Sequence, residues 1–273
     1  MKKDLSVKLK RLRNILRKMQ GVLIAYSGGV DSTLLLKVAG EVLKDQVLAV
    51  IASSPTYPQR ERKEAKRLAA DLGVENLVIK THEINNPRFV SNPLKRCYFC
   101  KQELFSRLKR IAKRYDISYV CDGSNYDDLK DFRPGAIAKK ELGIRSPLQE
   151  ARLTKNDIRK LSCQMGLPTW DKPSLACLAS RVPYNTKITP QVLKRIYGAE
   201  DFLRKLKFRQ VRVRHHGNLA RIEVAPKDLS RILISAKKIF KQFEGLGYTY
   251  VTLDLKGYRT GSMNESHINR PKR

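Results

Sequence analysis

Tyr26-Ser27-Gly28-Gly29-Val30-Asp31-Ser32-Thr33 collects hydroxyls, glycines and a carboxylate in one short stretch. Ser27 and Ser32 offer hydroxyl donors, and Asp31 is an acid suited to Mg²⁺ or to orienting the loop. Gly28 and Gly29 allow a tight turn and let a phosphate reach the main chain with no Cβ in the way. The chemistry expected of such a set is the holding of phosphate oxygens. Three further groups carry reactive side chains. Cys97 and Cys100 form a C-x-x-C pair, which in a reducing compartment is a ligand pair or a redox pair. Zinc would need two more ligands, and the chain has four histidines, two of them adjacent at His215 and His216. Cys177 sits between alanines in a stretch running from Lys172-Pro173 to Ser180-Arg181; it is either a small packing residue or a thiol made nucleophilic by nearby cations. Arg212 and Arg214 alternate with Val211 and Val213, so both guanidiniums share one strand face, where they either meet solvent or clamp a phosphate.

The elements around these residues define how they are presented. Val22-Leu23-Ile24-Ala25 is the short apolar run of a buried parallel strand, and a helix opens after Thr33. A strand that turns on two glycines into a helix leaves several N–H groups pointing one way, at the positive end of the helix dipole. A second buried strand, Val47 to Ala52, ends at Ser53-Ser54, and a helix over 58–72 and a strand over 76–83 follow. This alternation predicts an α/β fold with an open, doubly wound parallel sheet and right-handed crossovers. Ligands bind at the carboxyl ends of the strands in such sheets, which puts Ser53 beside the phosphate loop as a candidate adenine contact. The strand over 118–121 delivers Asp122-Gly123-Ser124-Asn125-Tyr126-Asp127-Asp128 to the same edge, where Asp122, Asn125 and Asp127 suit Mg²⁺ and ribose. An amphipathic helix over 5–19 carries Leu5, Leu9, Leu12, Leu16 and Met19 on one stripe. Cys121, at a strand end, and Cys163, in a helix over 155–165, are expected as small core residues. From Asn185 the chain reads as a smaller α+β unit: a helix over 190–207, strands over 210–216 and 219–225, a helix over 227–243 and a strand over 248–255.

A chain of 273 residues accommodates one large domain and a smaller one, with the division expected between 184 and 185. No apolar run approaches a membrane span and no signal peptide is read, so a cytoplasmic protein with unpaired thiols is expected. The net charge of +30 suits nucleic acid or anionic nucleotides. It is spread along the chain with few aromatic residues interleaved, so nucleic acid is disfavoured as the partner.

The loop matches neither G-x-x-x-x-G-K-[ST] nor G-x-G-x-x-G. S-G-G-V-D-S instead resembles the pyrophosphate loop of the PP-loop ATP pyrophosphatases. Together with D-G-S-N-Y-D-D-L-K-D-F-R-P-G, L-P-T-W-D-K-P, A-C-L-A-S-R-V-P-Y, V-R-V-R-H-H-G and G-Y-R-T-G-S-M-N, it resembles the LarE family of ATP-dependent sulfur transferases, which help to build the nickel-pincer nucleotide cofactor of lactate racemase. The resemblance implies that ATP adenylylates a carboxylate of pyridinium-3,5-biscarboxylic acid mononucleotide and that sulfur then replaces the adenylate. It implies ATP contacts from Ser27, Gly28, Gly29, Asp31, Ser32, Ser53, Asp122, Asn125 and Asp127, with Mg²⁺, and a catalytic Asp31. It makes Cys177 the sulfur-donor position, which either gives up its own sulfur or, with Cys97 and Cys100, holds a [4Fe-4S] cluster with one open iron. Ser180, Arg181, Arg212 and Arg214 would hold the substrate phosphate, and Glu200 and Glu223 match acidic positions assigned to a metal. A homo-oligomer is also implied.

Two rivals differ in what they require. A PP-loop tRNA thiolase would use the same adenylylation and welcome the charge, but no tRNA-binding module is appended. A non-catalytic nucleotide-binding module would be expected to lose the loop serines, Asp31 or the cysteine, and all are intact.

Overall fold

Val22, Leu23 and Ile24 are fully buried, and their side chains alternate between two apolar clusters on opposite faces of a parallel sheet. The computed structural model describes residues 2–130, 134–173, 176–259 and 262–263. Asp131, Phe132, Arg133, Ser174, Leu175, Thr260, Gly261 and Asn264, which belong to the sequence motifs, lie outside the described residues. The chain divides into two units, Met1–Phe89 with Leu94–Leu175, and Val90–Pro93 with Ala176–Arg273.

In the first unit, α1 (Lys2–Met19) precedes β1 (Val22–Ala25), α2 (Val30–Leu43), β2 (Val47–Ser53), α3 (Gln59–Asp71) and β3 (Glu75–Lys80). The single turn α4 (Pro87–Val90), α5 (Arg96–Arg114), β4 (Tyr119–Cys121), α6 (Pro134–Glu141), the single turn α7 (Pro147–Glu150) and α8 (Lys155–Gln164) follow. The strand order is β3-β2-β1-β4, all parallel. Val22 and Ile24 join Leu12 and Leu16 of α1, Leu34 and Leu35 of α2, and Ile158 and Leu161 of α8. Leu23 joins Leu48, Val50, Val120 and the α5 residues Phe105 and Leu108 on the other face. Each such fully buried leucine contributes about 1.5–3 kcal/mol. This is the doubly wound α/β sheet expected from the sequence, and β1 and β4 flank its switch point. No helix among the described residues is long and apolar enough to cross a membrane.

Cys121 is buried as expected, with its thiol 3.9 Å from the Met19 sulfur. Cys163 departs from expectation: it is exposed. Ile158, Leu161 and Ser162 turn the buried face of α8 inward, and the next residue lies about 100° further round the helix, toward solvent.

The second unit is built on α9 (Pro190–Lys205), β5 (Val211–His216), β6 (Leu219–Val224), α10 (Leu229–Ile234), α11 (Ala236–Gly245) and β7 (Tyr250–Leu253). β5 pairs antiparallel with β6, and β6 parallel with β7. Thr189 caps α9 by accepting from the Val192 N–H at 3.2 Å, and Pro190 occupies the first turn where its missing N–H costs nothing. Ala199 and Leu203 of α9 pack with Val211, Val213, Ile222, Val224, Phe243 and Tyr248. The single helix expected over 227–243 is two, broken at Ser235, whose backbone (φ −92°, ψ 4°) lies in the bridge region between helix and turn.

Candidate functional site

Gly28 takes φ +68°, and a Cβ there would lie 2.7 Å from the Cβ of Ala65. Both the left-handed backbone and the close approach of α3 demand glycine. The turn carries the chain from β1 into α2 without pairing all of its amides, and hydroxyls brace it. Ser27 Oγ and Ser32 Oγ are 3.0 Å apart, and the Gly29 N–H donates to Ser27 Oγ at 3.4 Å. Ser32 Oγ donates to the Gly29 carbonyl at 3.2 Å. Lys172 reaches the same turn, donating to the Gly28 carbonyl at 3.2 Å while paired with Glu61 and Glu64. What results is an open N-terminus of a 14-residue helix with hydroxyls around it, the geometry of an anion cradle.

The loop after β4 closes on this cradle from the other side of the switch point. A Cβ on Gly123 would meet the Ser32 nitrogen at 3.0 Å, so the two loops touch backbone to backbone. Asn125 Nδ2 donates to Asp31 Oδ1 at 3.3 Å, and the Asp127 N–H donates to Asn125 Oδ1 at 3.0 Å. Asp122 accepts from Ser124 Oγ and Ser146 Oγ, each at 2.6 Å, with Lys139 Nζ at 3.4 Å. Asp31 also accepts a charge-assisted bond from Lys155 Nζ. Lys155 is placed by a capping box at the start of α8: Thr154 Oγ1 accepts from the Asp157 N–H, and Asp157 Oδ2 accepts from the Thr154 N–H at 3.1 Å. Ser53, at the end of β2, accepts from Arg62. Ser27, Gly28, Gly29, Asp31, Ser32, Ser53, Asp122, Asn125 and Asp127 thus all lie at the carboxyl ends of β1, β2 and β4.

Cys97 and Cys100 occupy the first turns of α5, three residues apart and so on one helix face; Cys97 is exposed and Cys100 half-buried. Two accessible thiols on one face meet the demand a metal centre places on such a pair, and leave its remaining ligands to come from elsewhere. Among the described residues, no group of three or more His, Cys, Asp or Glu side chains is placed to hold a metal ion.

In the second unit, Cys177 is half-buried and caps a short 3-10 turn, Leu178–Arg181, whose Leu178 and Ala179 are buried. Arg181, Arg212 and Arg214 are 1%, 4% and 5% exposed, so solvation of the β5 arginines is excluded. Arg181 Nε lies 2.8 Å from Glu200 Oε1, and Glu200 Oε2 also accepts from Arg204 at 2.7 Å. Glu223 accepts from Arg214 at 2.7 Å and from Arg221 at 3.2 Å. Glu200 and Glu223, expected as metal positions, are both fully buried, and their oxygens serve these arginines. Burial alone would raise the Glu200 pKa, but Arg181, Arg204 and Arg212 hold it down to about 2. Burial, with Arg181 and Arg214 adding to it, pushes Arg212 down to about 10 against the pull of Glu200 and Tyr258. Nε of Arg214 is buried without an acceptor among the described residues.

Sequence reasoning assigned no individual contact to Gly123, Lys139, Ser146 or Lys155. The T-x-x-D capping pattern at Thr154 and Asp157 was the signal that would have placed Lys155 on a helix start, though not beside Asp31.

The chain is similar over residues 6–121 to the NAD synthase family model. It is 45% identical over 262 residues to an uncharacterized protein of Synechocystis sp., covering 95% of this chain and 98% of that one. It is 38% identical over 263 residues to the pyridinium-3,5-bisthiocarboxylic acid mononucleotide synthase of Lactiplantibacillus plantarum, covering 96% and 95%. An uncharacterized protein of Methanocaldococcus jannaschii is 34% identical over 256 residues, covering 93% and 98%.

Proposed function

We propose a reaction that proceeds from the chain's family, for it belongs to the LarE family of ATP-dependent sulfur transferases: this protein converts a carboxylate of pyridinium-3,5-biscarboxylic acid mononucleotide into a thiocarboxylate. A carboxylate oxygen attacks the α-phosphorus of ATP and pyrophosphate leaves. A sulfur nucleophile then attacks the acyl carbon, and AMP departs with the oxygen. The observation that carries this reading is the cradle at Gly28, where the open α2 N-terminus faces the acidic loop after β4 across the switch point.

Ser27, Gly28, Gly29 and Ser32 bind the pyrophosphate portion of ATP, and Asp31, Asp122 and Asp127 face its magnesium. Asn125 orients Asp31, and Ser53 stands where the adenine is held. Arg212 and Arg214, with Ser180 beside them, bind the phosphate of the substrate mononucleotide. The buried Nε of Arg214, without an acceptor among the described residues, and the lowered pKa of Arg212 support this, since both would gain from an anion. Cys97, Cys100 and Cys177 would hold a [4Fe-4S] cluster, which when bound supplies an open iron able to carry sulfide. On the alternative, sacrificial route Cys177 would itself be the thiol that meets the activated carboxylate. The first domain is the ATP pyrophosphatase domain and the second binds substrate and mediates homo-oligomer assembly. A cytoplasmic location is part of the same reading.

The test is direct. Purified anaerobically and given ATP and the biscarboxylic mononucleotide, the protein should release pyrophosphate and AMP and yield a thiocarboxylate detected by mass. Pyrophosphate release indifferent to that substrate would remove the assignment.

A further inference from the structure

We propose that Arg181 is a positioning residue for Cys177 and not a ligand of the substrate phosphate, and that Glu200 locks it in that task. The inference rests on the sulfur-transfer role given to Cys177 above. Arg181 has 1% of its side chain exposed and Glu200 none. Nε and one terminal nitrogen of Arg181 grip the two oxygens of Glu200, at 2.8 and 3.1 Å. The other terminal nitrogen turns back along its own chain and faces the carbonyl oxygens of Ala176 at 2.7 Å and Cys177 at 3.0 Å, with Ser180 Oγ at 3.0 Å. A guanidinium fixed on one edge by a bidentate carboxylate presents its remaining edge in a set plane, which a flexible ammonium cannot imitate.

That edge is spent on the backbone of Cys177. The carbonyl of Cys177 receives the Ser180 N–H at 2.9 Å as well as Arg181, so the 3-10 turn and the guanidinium fix the same atom. Leu178 and Ala179 pin the turn from below. Glu200 is held in turn by Arg204 at 2.7 Å and by the Val213 N–H at 3.2 Å, which ties the clasp to α9 and β5. A thiol that must meet an activated carboxylate needs its Cα held to within a fraction of an ångström, and a half-buried loop with no such brace would not supply that. Arg212 and Arg214 remain for the phosphate, because Arg214 keeps a buried nitrogen without an acceptor among the described residues and Arg181 turns both of its described edges to protein.

Arg181→Lys decides the matter with three readouts on the full chain: the Kd for the biscarboxylic mononucleotide by calorimetry, the rate of thiocarboxylate formation, and amide exchange read by mass spectrometry. Loss of a charge-assisted hydrogen bond predicts exchange at the Ser180 and Val182 amides about tenfold faster, a rate at least about tenfold lower, and a Kd within about twofold of wild type. Amides of β5 and β6 should exchange as before. A Kd weakened about tenfold or more with unchanged exchange at Ser180 would make Arg181 a phosphate ligand and overturn the proposal. If the β5 and β6 amides also loosen, Glu200→Gln is read in the same way. Faster Ser180 exchange with retained binding in that variant sustains the proposal, and unchanged exchange overturns it. Should wild type bind no such nucleotide, the sulfur-transfer reading fails, while the exchange measurement still judges the clasp.

Discussion

Lys155 Nζ lies 2.5 Å from Asp31 Oδ2, so the acid in the first turn of α2 is paired with the first residue of α8. Both side chains are partly exposed, which keeps the pair screened and exchangeable. On the proposed reading, the magnesium of ATP would compete for Asp31 and a phosphate would compete for Lys155.

Asp31→Ala should therefore reduce pyrophosphate release to background, and Lys155→Ala should raise the KM for ATP several-fold with a smaller change in kcat. An assay of substrate-dependent pyrophosphate release checks both. Wild-type rates in the Asp31 variant would refute the loop assignment.

Gly28 and Gly29 should fail differently. Gly28→Ala adds a methyl against Ala65 and strains φ +68°, and is expected to cost about 1–3 kcal/mol of stability as well as ATP use. Ala65→Gly in the same chain should recover part of that stability. Gly29 has φ −83°, and its Cβ would meet only Ser27 Oγ at 3.4 Å, so Gly29→Val should fold normally and lose ATP binding. Thermal melts with and without ATP separate these outcomes.

The cysteines make a five-way test of sulfur chemistry. Anaerobic protein should be brown and lose its colour in each of Cys97→Ala, Cys100→Ala and Cys177→Ala. Cys163→Ala should keep colour and stability because the side chain is exposed. Cys121→Ala should keep the colour but melt lower, since it empties a buried site against Met19. A dehydroalanine at 177 after turnover, a loss of about 34 Da by conversion of a thiol to an alkene, would replace the cluster route by a sacrificial one.

Acid should loosen the second unit through Glu200. Its folded pKa of about 2 lies below the ordinary carboxylate value, so its ion pairs stabilise fully above the unfolded pKa. That contribution is lost as pH falls from there through the folded value. Glu200→Gln should flatten the acid-unfolding curve in this window and lower stability at neutral pH, as near-ultraviolet circular dichroism would read.

The net charge of +30 predicts some retention of tRNA at low salt and a steep loss as salt rises. Binding that survives physiological salt and stimulates pyrophosphate release would favour the thiolase reading.

The sheet and the phosphate loop were legible because the apolar runs of β1 and β2 and the paired glycines express local rules. Asp31 and Asn125 were each nameable, but not their bond, which joins the first turn of α2 to the loop after β4. Cys163 was misplaced because a helix of mixed composition does not announce which residues face in, and the break at Ser235 has no proline or glycine to mark it. The ion pair of Arg181 with Glu200 was not legible, because the two lie on separate elements and only packing brings them together.

Asn92 shows how the second unit was assembled as a folding module. Its fully buried side chain donates to the carbonyls of Val182 and Pro183, its own carbonyl receives the Asn185 N–H, and Val90 receives Ile188. A gene fragment beginning at codon 176 therefore encodes a body with missing stitches, and grafting that fragment onto another protein would transplant an incomplete part. Recombination among relatives can exchange this region intact only if it carries the short upstream insert with it.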